Sequence, residues 1–166
     1  MGDAVIVSFA RTPVADAYRG SLATTPVTEL GKLVIAEAIK RAGVPPSEVD
    51  DVVMGEVLQG GGNLARYCAI DLGLPDDTPG MAVNRACGSG LAAVNVAAAS
   101  IRAGMERVIV AGGMESMTQA PLVFFKSPMP FGGVVQGIPD THPDTPDAPA
   151  RNMFVTVGEN TADEAG

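Results

Sequence analysis

The chain has 166 residues, 46% apolar and 18% charged, which is enough for about one domain with a sizeable core. Its formal net charge is −8, and the 11 basic residues form no cluster, so binding to nucleic acid is not expected. No apolar run is long enough to span a bilayer, and the N-terminus lacks the pattern of a signal peptide. We therefore expect a soluble, cytoplasmic protein without a membrane partner.

The first 113 residues alternate strand-like and helix-like segments. Residues 4–9 are apolar and β-branched, which predicts a buried strand. Thr25 is the expected N-cap of an amphipathic helix with Pro26 as its first residue, and Gly43 is expected to end it. The elements that follow are a strand over 52–57, a helix over 64–72, a strand over 80–84, a helix from Cys87 or Gly88 to Ala103 and a strand over 107–111. This alternation predicts an α/β fold with a largely parallel sheet.

The last predicted helix of this series is apolar on all sides. Such a helix should be buried on all sides, under a second layer supplied by this chain, by a missing part or by a partner. From Thr118 onwards the character changes, because prolines concentrate in residues 121–150 and predict a long loop. Residues 158–165 look like the start of another helix. We therefore divide the chain into an incomplete domain over 1–117 and a second region over 118–166.

Cys87 stands where the third predicted strand meets this helix. A helix N-terminus stabilises a thiolate, the nucleophilic form of cysteine, and the Cys87 N–H could donate to an oxyanion formed during attack on a carbonyl. Gly88 and Gly90 leave room for a bulky thioester, and Ser89 is small enough to share that space. The alternative is that Cys87 is a small buried apolar residue, as free cysteines commonly are.

Four segments resemble segments of the thiolase family, which comprises acetyl-CoA acetyltransferases and 3-ketoacyl-CoA thiolases. Residues 83–91 (VNRACGSGL) resemble the segment of the acyl-enzyme cysteine. Residues 10–13 (ARTP) and 111–118 (AGGMESMT) resemble two more segments, and 158–163 (GENTAD) more loosely a fourth. The resemblance implies a thiolase-like layered α/β fold, of which this chain is the N-terminal half with the beginning of the loop domain, over 118–166.

The resemblance also implies a chemistry. Cys87 would take an acyl group from acetyl-CoA or a 3-ketoacyl-CoA as a thioester and pass it to coenzyme A or to an acetyl-CoA carbanion. Gly88 and Ser89 would contact the substrate, and coenzyme A would be a substrate, with no separate cofactor. The family further implies fatty acid metabolism such as β-oxidation. Expected partners are copies of this chain in a homodimer or tetramer, with the third strand near the dimer interface, or a complementary C-terminal half.

Several family groups are missing from these 166 residues. No Gly-His-Pro segment supplies an activating histidine, no second cysteine lies in a Gly-rich segment, and no Asn-Glu-Ala-Phe-type segment is present. We therefore expect the isolated segment to be nearly inactive. Three alternatives stay open: a non-catalytic relative that binds acyl-CoA or dimerises, a cysteine hydrolase on another α/β fold, and a related condensing enzyme with a buried cysteine.

The other candidate residues have plainer interpretations. Cys68 lies inside a helix and is expected to pack, although two cysteines could form one disulfide. Met114 and Met117 are expected to pack, with the lining of an acyl pocket as the alternative. Val157 stands where many thiolases have Met. No metal site is expected from the acidic loop with one histidine, which contains Asp140, His142, Asp144 and Asp147.

Overall fold

The fold is described from a computed structural model that covers residues 2–59, 62–137, 140, 142–146, 150 and 153–166. The described residues form two compact units, one up to Pro121 and one from Leu122 onwards. The domain boundary proposed from the sequence, after residue 117, stays a prediction.

The first unit contains a parallel sheet of three strands in the order β2-β1-β3. The strands are β1 (Asp51–Gly55), β2 (Gly80–Val83) and β3 (Ile109–Gly113). The helices are α1 (Val27–Ala42), α2 (Leu64–Asp71) and α3 (Ser89–Ala103). β1 is central and buried along its whole length, which is why its residues 52–54 are apolar in succession rather than alternating with polar ones. These elements confirm the predicted α/β fold with parallel strands.

The two faces of β1 pack against different helices. Val52 and Met54 belong to a core cluster with buried side chains of α1 and α2, among them Ile35 and Cys68. The alternate face carries Gly55, whose backbone lies against the start of α3. Because successive strand residues point to opposite faces, α1 and α2 cover one side of the sheet and α3 the other. The unit therefore has the predicted layered α/β architecture.

The start of α1 differs from the prediction by one residue. Pro26, not Thr25, is the N-cap, and its carbonyl accepts from Glu29 N at 3.0 Å and Leu30 N at 3.2 Å. A side-chain cap at Thr25 is unnecessary because the Pro26 carbonyl already starts the helical hydrogen bonds. The predicted end is confirmed, since Gly43 takes the left-handed conformation with φ of 66°.

The strand predicted over residues 4–9 is wrong for this chain. The segment lies beside α1, where Ser8 Oγ donates to Ala38 O at 2.7 Å and Arg41 Nη1 donates to Phe9 O at 2.9 Å. No described strand pairs with it, and Ile6 is 81% exposed. An apolar, β-branched run favours a strand only where a neighbouring strand supplies the hydrogen bonds.

Within the described residues of the first unit, α3 is covered on one face only, and a second layer supplied by a missing part or by a partner stays a prediction. Ala92, Ala93 and Ala97 are buried, whereas Leu91 is 69% exposed. The sheet covers one face of α3, and none of the described residues of the first unit forms a layer over the other. The outer face of α3 is therefore apolar although no described residue of the first unit covers it.

The second unit contains a hairpin that the sequence analysis missed. β4 (Phe124–Lys126) pairs antiparallel with β5 (Val134–Gln136) inside the region predicted to be loop. A helix, α4 (Met153–Ala165), begins five residues before the predicted start at 158. In the described part of the chain, no helix is long and apolar enough to cross a membrane.

Candidate active site

A tight turn over residues 84–89 joins β2 to α3. Gly88 N donates to Arg85 O at 3.0 Å, and Ser89 N donates to Ala86 O at 3.1 Å. Ala86 has a φ of 45°, in the left-handed region that side chains other than glycine rarely adopt. Such a strained residue persists only where its surroundings hold it, and such residues concentrate at functional sites.

Two polar side chains hold this turn. Asn84 Oδ1 accepts from Ala86 N at 3.0 Å. Ser89 Oγ accepts from Arg85 N at 2.8 Å and donates to Ala86 O at 2.6 Å. Ser89 is only 5% exposed, so water does not readily compete for these bonds. The strained residue Ala86 is thus fixed on both sides by hydrogen bonds.

Cys87 projects from this turn into solvent, directly before Gly88, the N-cap of α3. A nucleophilic role requires a sulfur near a helix start and open to a thioester, and Cys87 meets both conditions geometrically. Gly88 is exposed as well, in keeping with open space beside the sulfur. The catalytic role of Cys87 and the substrate contacts of Gly88 and Ser89 stay predictions.

Cys68 lies in a different environment. It is fully buried, and its Sγ donates to Thr28 O at 3.7 Å. Burial raises the pKa of its thiol to about 11, which keeps it protonated at neutral pH. Both cysteines are free thiols, so they form no disulfide, and the packing role predicted for Cys68 is confirmed.

Glycines bring the start of α3 onto the carboxyl ends of the strands. A Cβ on Gly55 would lie 2.5 Å from Ser89 C and 2.6 Å from Gly90 N, so only glycine allows this approach. A Cβ on Gly113 would lie 3.1 Å from Gly55 O and 3.4 Å from Gly90 Cα. The Cys87 turn is therefore held at the carboxyl edge of the sheet, where open α/β folds bind their ligands.

A small recess opens at the same edge. It has a volume of about 190 Å³, and its lining includes Glu56, Gln59 and Asn84. Glu56 is 8% exposed, and its Oε2 accepts no hydrogen bond from any described residue. Burial, and to a smaller extent the charge of Glu115, raises the pKa of the Glu56 carboxyl. Glu56 was not among the predicted site residues, although an acidic residue directly after an apolar strand is a signal that could have indicated it.

Glu115 was also missed, although its segment was recognised. Its carboxylate accepts from Val57 N at 2.8 Å and Leu58 N at 3.2 Å, and it binds the side-chain amide of Gln59. These bonds tie the connection that follows β1 to the connection that follows β3. Glu115 therefore shapes the recess beside Glu56. This role requires contacts between segments more than 50 residues apart, which a single sequence does not reveal.

The remaining candidates make no described contact with the Cys87 turn within the first unit, belong to the second unit, or lie outside the described residues. Met114 is buried in the core of the first unit, against Gly31 of α1, which confirms its packing role. Met117 is exposed, and Val157 lies exposed on α4 of the second unit. Asp147 lies outside the described residues. Among those described, no three His, Cys, Asp or Glu side chains are grouped as metal ligands would be.

The first unit is thus a layered α/β unit that presents a free cysteine on a strained turn at the carboxyl edge of a parallel sheet. A family model described as "Thiolase, N-terminal domain" matches residues 4–134. The chain belongs to the thiolase family, and it represents the N-terminal part.

Named relatives agree with this assignment. The chain is 52% identical over 125 residues to an acetyl-CoA acetyltransferase of Cupriavidus necator, covering 74% of this chain and 32% of that protein. It is 46% identical over 136 residues to the mitochondrial acetyl-CoA acetyltransferase of Rattus norvegicus, covering 81% and 32%. The solved Acat5 thiolase of Ascaris suum in complex with coenzyme A has a TM-score of 0.72 and 35% identity, covering 82% of this chain and 36% of that one. The chain spans about a third of the length of these relatives.

Proposed function

We propose that this chain carries the nucleophile of a thiolase-type acyl transfer between an acyl-CoA or 3-ketoacyl-CoA and coenzyme A. The observation that carries the proposal is the exposed Cys87 on the fixed turn before α3. The Cys87 sulfur attacks the carbonyl carbon of the thioester or of the 3-keto group, and the S–C bond forms as an oxyanion develops. The C–S bond to coenzyme A, or the C2–C3 bond of the 3-ketoacyl group, then breaks, and the acyl group stays on Cys87.

The oxyanion in this scheme needs a donor. Gly88 N and Ser89 N already donate within the turn, so we assign this donation to the N–H of Cys87, as the sequence analysis did. The leaving coenzyme A thiolate or the acetyl-CoA carbanion requires a proton. The matched part of this chain covers only 32% of these relatives, and we propose that a complementary C-terminal part supplies the proton-transfer groups. We expect the 166-residue polypeptide alone to turn over very slowly.

Partners, compartment and pathway complete the proposal. We infer that coenzyme A is a substrate and that no separate cofactor is needed, since the relatives are named acetyl-CoA acetyltransferases and one solved thiolase is a complex with coenzyme A. Homo-oligomers, through the open edge of β2, and a role in fatty acid β-oxidation follow from the family resemblance. A cytoplasmic location is retained, with mitochondria as the alternative because several relatives carry that compartment in their names.

A second function is favoured by two observations in the first unit. The uncovered face of α3, with Leu91 exposed, and the open edge of β2 suit a non-catalytic relative that binds acyl-CoA or dimerises. The two functions differ in whether Cys87 is acylated.

Intact mass after incubation with acetyl-CoA tests the proposal, with the chain alone and with a C-terminal thiolase half added. We expect one acetyl adduct, lost in Cys87→Ser and retained in the matched control Cys68→Ser. The absence of an adduct on wild-type chain in both conditions would overturn the proposal and favour the binding function.

A further inference from the structure

The hydroxyl of Ser89 makes two of the hydrogen bonds of the Cys87 turn. It accepts from Arg85 N at 2.8 Å and donates to Ala86 O at 2.6 Å, so it holds the residues that precede the sulfur. Both bonds are to the backbone, and the side chain is 5% exposed. An O–H donates only one hydrogen, which here goes to Ala86 O. A substrate oxygen would therefore have to break this bond to reach the hydroxyl.

The residue held in this way is the strained one. Ala86, with a φ of 45°, precedes Cys87 directly, so its conformation sets the direction of the Cys87 N–H and side chain. In an L-residue the left-handed conformation brings Cβ close to the following carbonyl oxygen, which disfavours it without external support. The serine bonds act on both flanks of this residue, at Arg85 N and at Ala86 O.

The backbone of Ser89 is itself fixed. Its carbonyl carbon lies so close to Gly55 that a Cβ on that glycine would be 2.5 Å away. Ser89 is also the first residue of α3. The hydroxyl thus connects the turn to a point anchored on the sheet.

We propose that Ser89 is a positioning residue, which holds Ala86 in its left-handed conformation and so aims the N–H and sulfur of Cys87 at a bound acyl group. This inference rests on the proposed function for its chemical consequence, but the turn itself can be measured without any activity. Ser89 contacts no reacting atom in this scheme.

Two reactions of Cys87 separate positioning from general stability. Attack on a thioester passes through an oxyanion that the Cys87 N–H must meet, whereas alkylation by iodoacetamide forms no oxyanion. In Ser89→Ala, we expect acylation by acetyl-CoA, with the C-terminal half present, to slow by at least tenfold. Alkylation should change by less than threefold, and Ser89→Thr, which keeps the hydroxyl, should recover most of the acylation rate.

The matched control is Thr78→Ala, which removes another buried hydroxyl of the same unit. Thr78 Oγ1 donates to Val49 O at 3.0 Å, at the amino ends of β1 and β2, whereas the turn follows the carboxyl end of β2. It should lower thermal stability about as much as Ser89→Ala and leave the ratio of acylation to alkylation unchanged. An equal fall of both rates in Ser89→Ala, or a changed ratio in Thr78→Ala, would overturn the assignment.

Hydrogen–deuterium exchange provides a readout that does not need thiolase activity. In Ser89→Ala we expect the amides of Arg85 and Ser89 to exchange at least tenfold faster, with the amides of α1 unaffected. Adding Ala86→Gly should reduce this effect, because glycine adopts the left-handed conformation without support. Unchanged exchange in Ser89→Ala would overturn the positioning role. Absence of acylation in the wild type, with the exchange effect present, would overturn only the proposed function.

Discussion

The contact between Gly55 and the start of α3 makes the fold around Cys87 sensitive to a single methyl group. In Gly55→Ala, the new Cβ would lie 2.5 Å from Ser89 C, 2.6 Å from Gly90 N and 2.7 Å from Ser89 O. All three are backbone atoms, so no side chain can rotate away, and α3 must shift by about 1 Å to restore ordinary contact at 3.5–4.0 Å. Overpacking of this kind costs about 1–3 kcal/mol, and backbone contacts place this variant near the upper value.

Gly90→Ala is the matched control, since it adds the same methyl group to the other side of this contact, at the residue that follows Ser89. A Cβ at Gly90 would meet only Gly112 O, at 4.0 Å. Alanine also favours a helix over glycine by up to about 1 kcal/mol, so this variant should be neutral or stabilising.

Urea unfolding followed by circular dichroism measures both variants. With a slope of about 2 kcal/mol per molar urea, Gly55→Ala should lower the midpoint by about 1.5 M and Gly90→Ala should leave it equal or higher. Iodoacetamide should also modify Cys87 at a different rate in Gly55→Ala, because the turn moves with α3. Should Gly55→Ala unfold within about 0.5 kcal/mol of the wild type, or Gly90→Ala lose as much, the close approach of helix and sheet would be refuted.

Three further outcomes are expected. Burial raises the pKa of Glu56, so the stability that this carboxyl contributes is present below its unfolded pKa, about 4.3, and is lost as the pH rises through its folded pKa. Glu56→Gln should therefore match the stability of the wild type near pH 4 and exceed it at pH 7. Equal stability of the two proteins at both pH values would contradict this. The amides of Val108 and Arg107 lower the pKa of Asp50, so Asp50→Asn should be less stable than the wild type at pH 7 by urea unfolding. The difference should shrink as the pH falls below the ordinary aspartate value, about 3.9, through the lowered folded value, and a constant difference would contradict the linkage. Of the two thiols, only Cys87 should react with a disulfide reagent in the native chain, with Cys68 reacting after unfolding, and rapid reaction of both without denaturant would contradict the buried position of Cys68.

The elements of the first unit were largely predictable because local rules and burial agree there. β1 is buried on both faces, so its apolar run carries the signal of a central parallel strand. α1 repeats buried residues at helical spacing and ends at a left-handed glycine, which are both local signals. Where both kinds of signal coincide, the bounds differ from prediction by only a few residues.

The failures occur where structure depends on a distant partner. Residues 4–9 have the composition of a strand, but a strand requires another strand to receive its hydrogen bonds, and composition does not say whether one is present. The β4–β5 hairpin is the opposite case, because its strands are present but were not predicted. Its strands have three residues each and are exposed, so they carry no alternation long enough to detect.

The residues of the candidate site likewise divide into those that local sequence signals indicate and those whose roles depend on distant contacts. Cys87 was found from its position between a strand and a helix, and the family resemblance strengthened it. Ser89 was predicted to contact the substrate, because the sequence shows that its hydroxyl is close to Cys87 in the chain but not which backbone atoms this hydroxyl binds. Glu56 and Glu115 were not found, because their roles follow from burial and from bonds between separate loops.

The placement of Cys87 and the chemistry proposed for it thus have different origins. Every contact that fixes the turn comes from within the first unit: the side chains of Asn84 and Ser89, and the close approach of Gly55 to α3. Within the first unit, proton transfer has no such local source, because that unit contains no histidine and its described residues place one buried carboxyl, Glu56, at this edge. A C-terminal half added in trans should therefore raise the rate of acyl transfer through Cys87 while leaving hydrogen exchange in the turn nearly unchanged. If exchange in the turn slowed by more than about tenfold on addition, the turn would be organised by the partner, and the local origin of the nucleophile's position would be wrong.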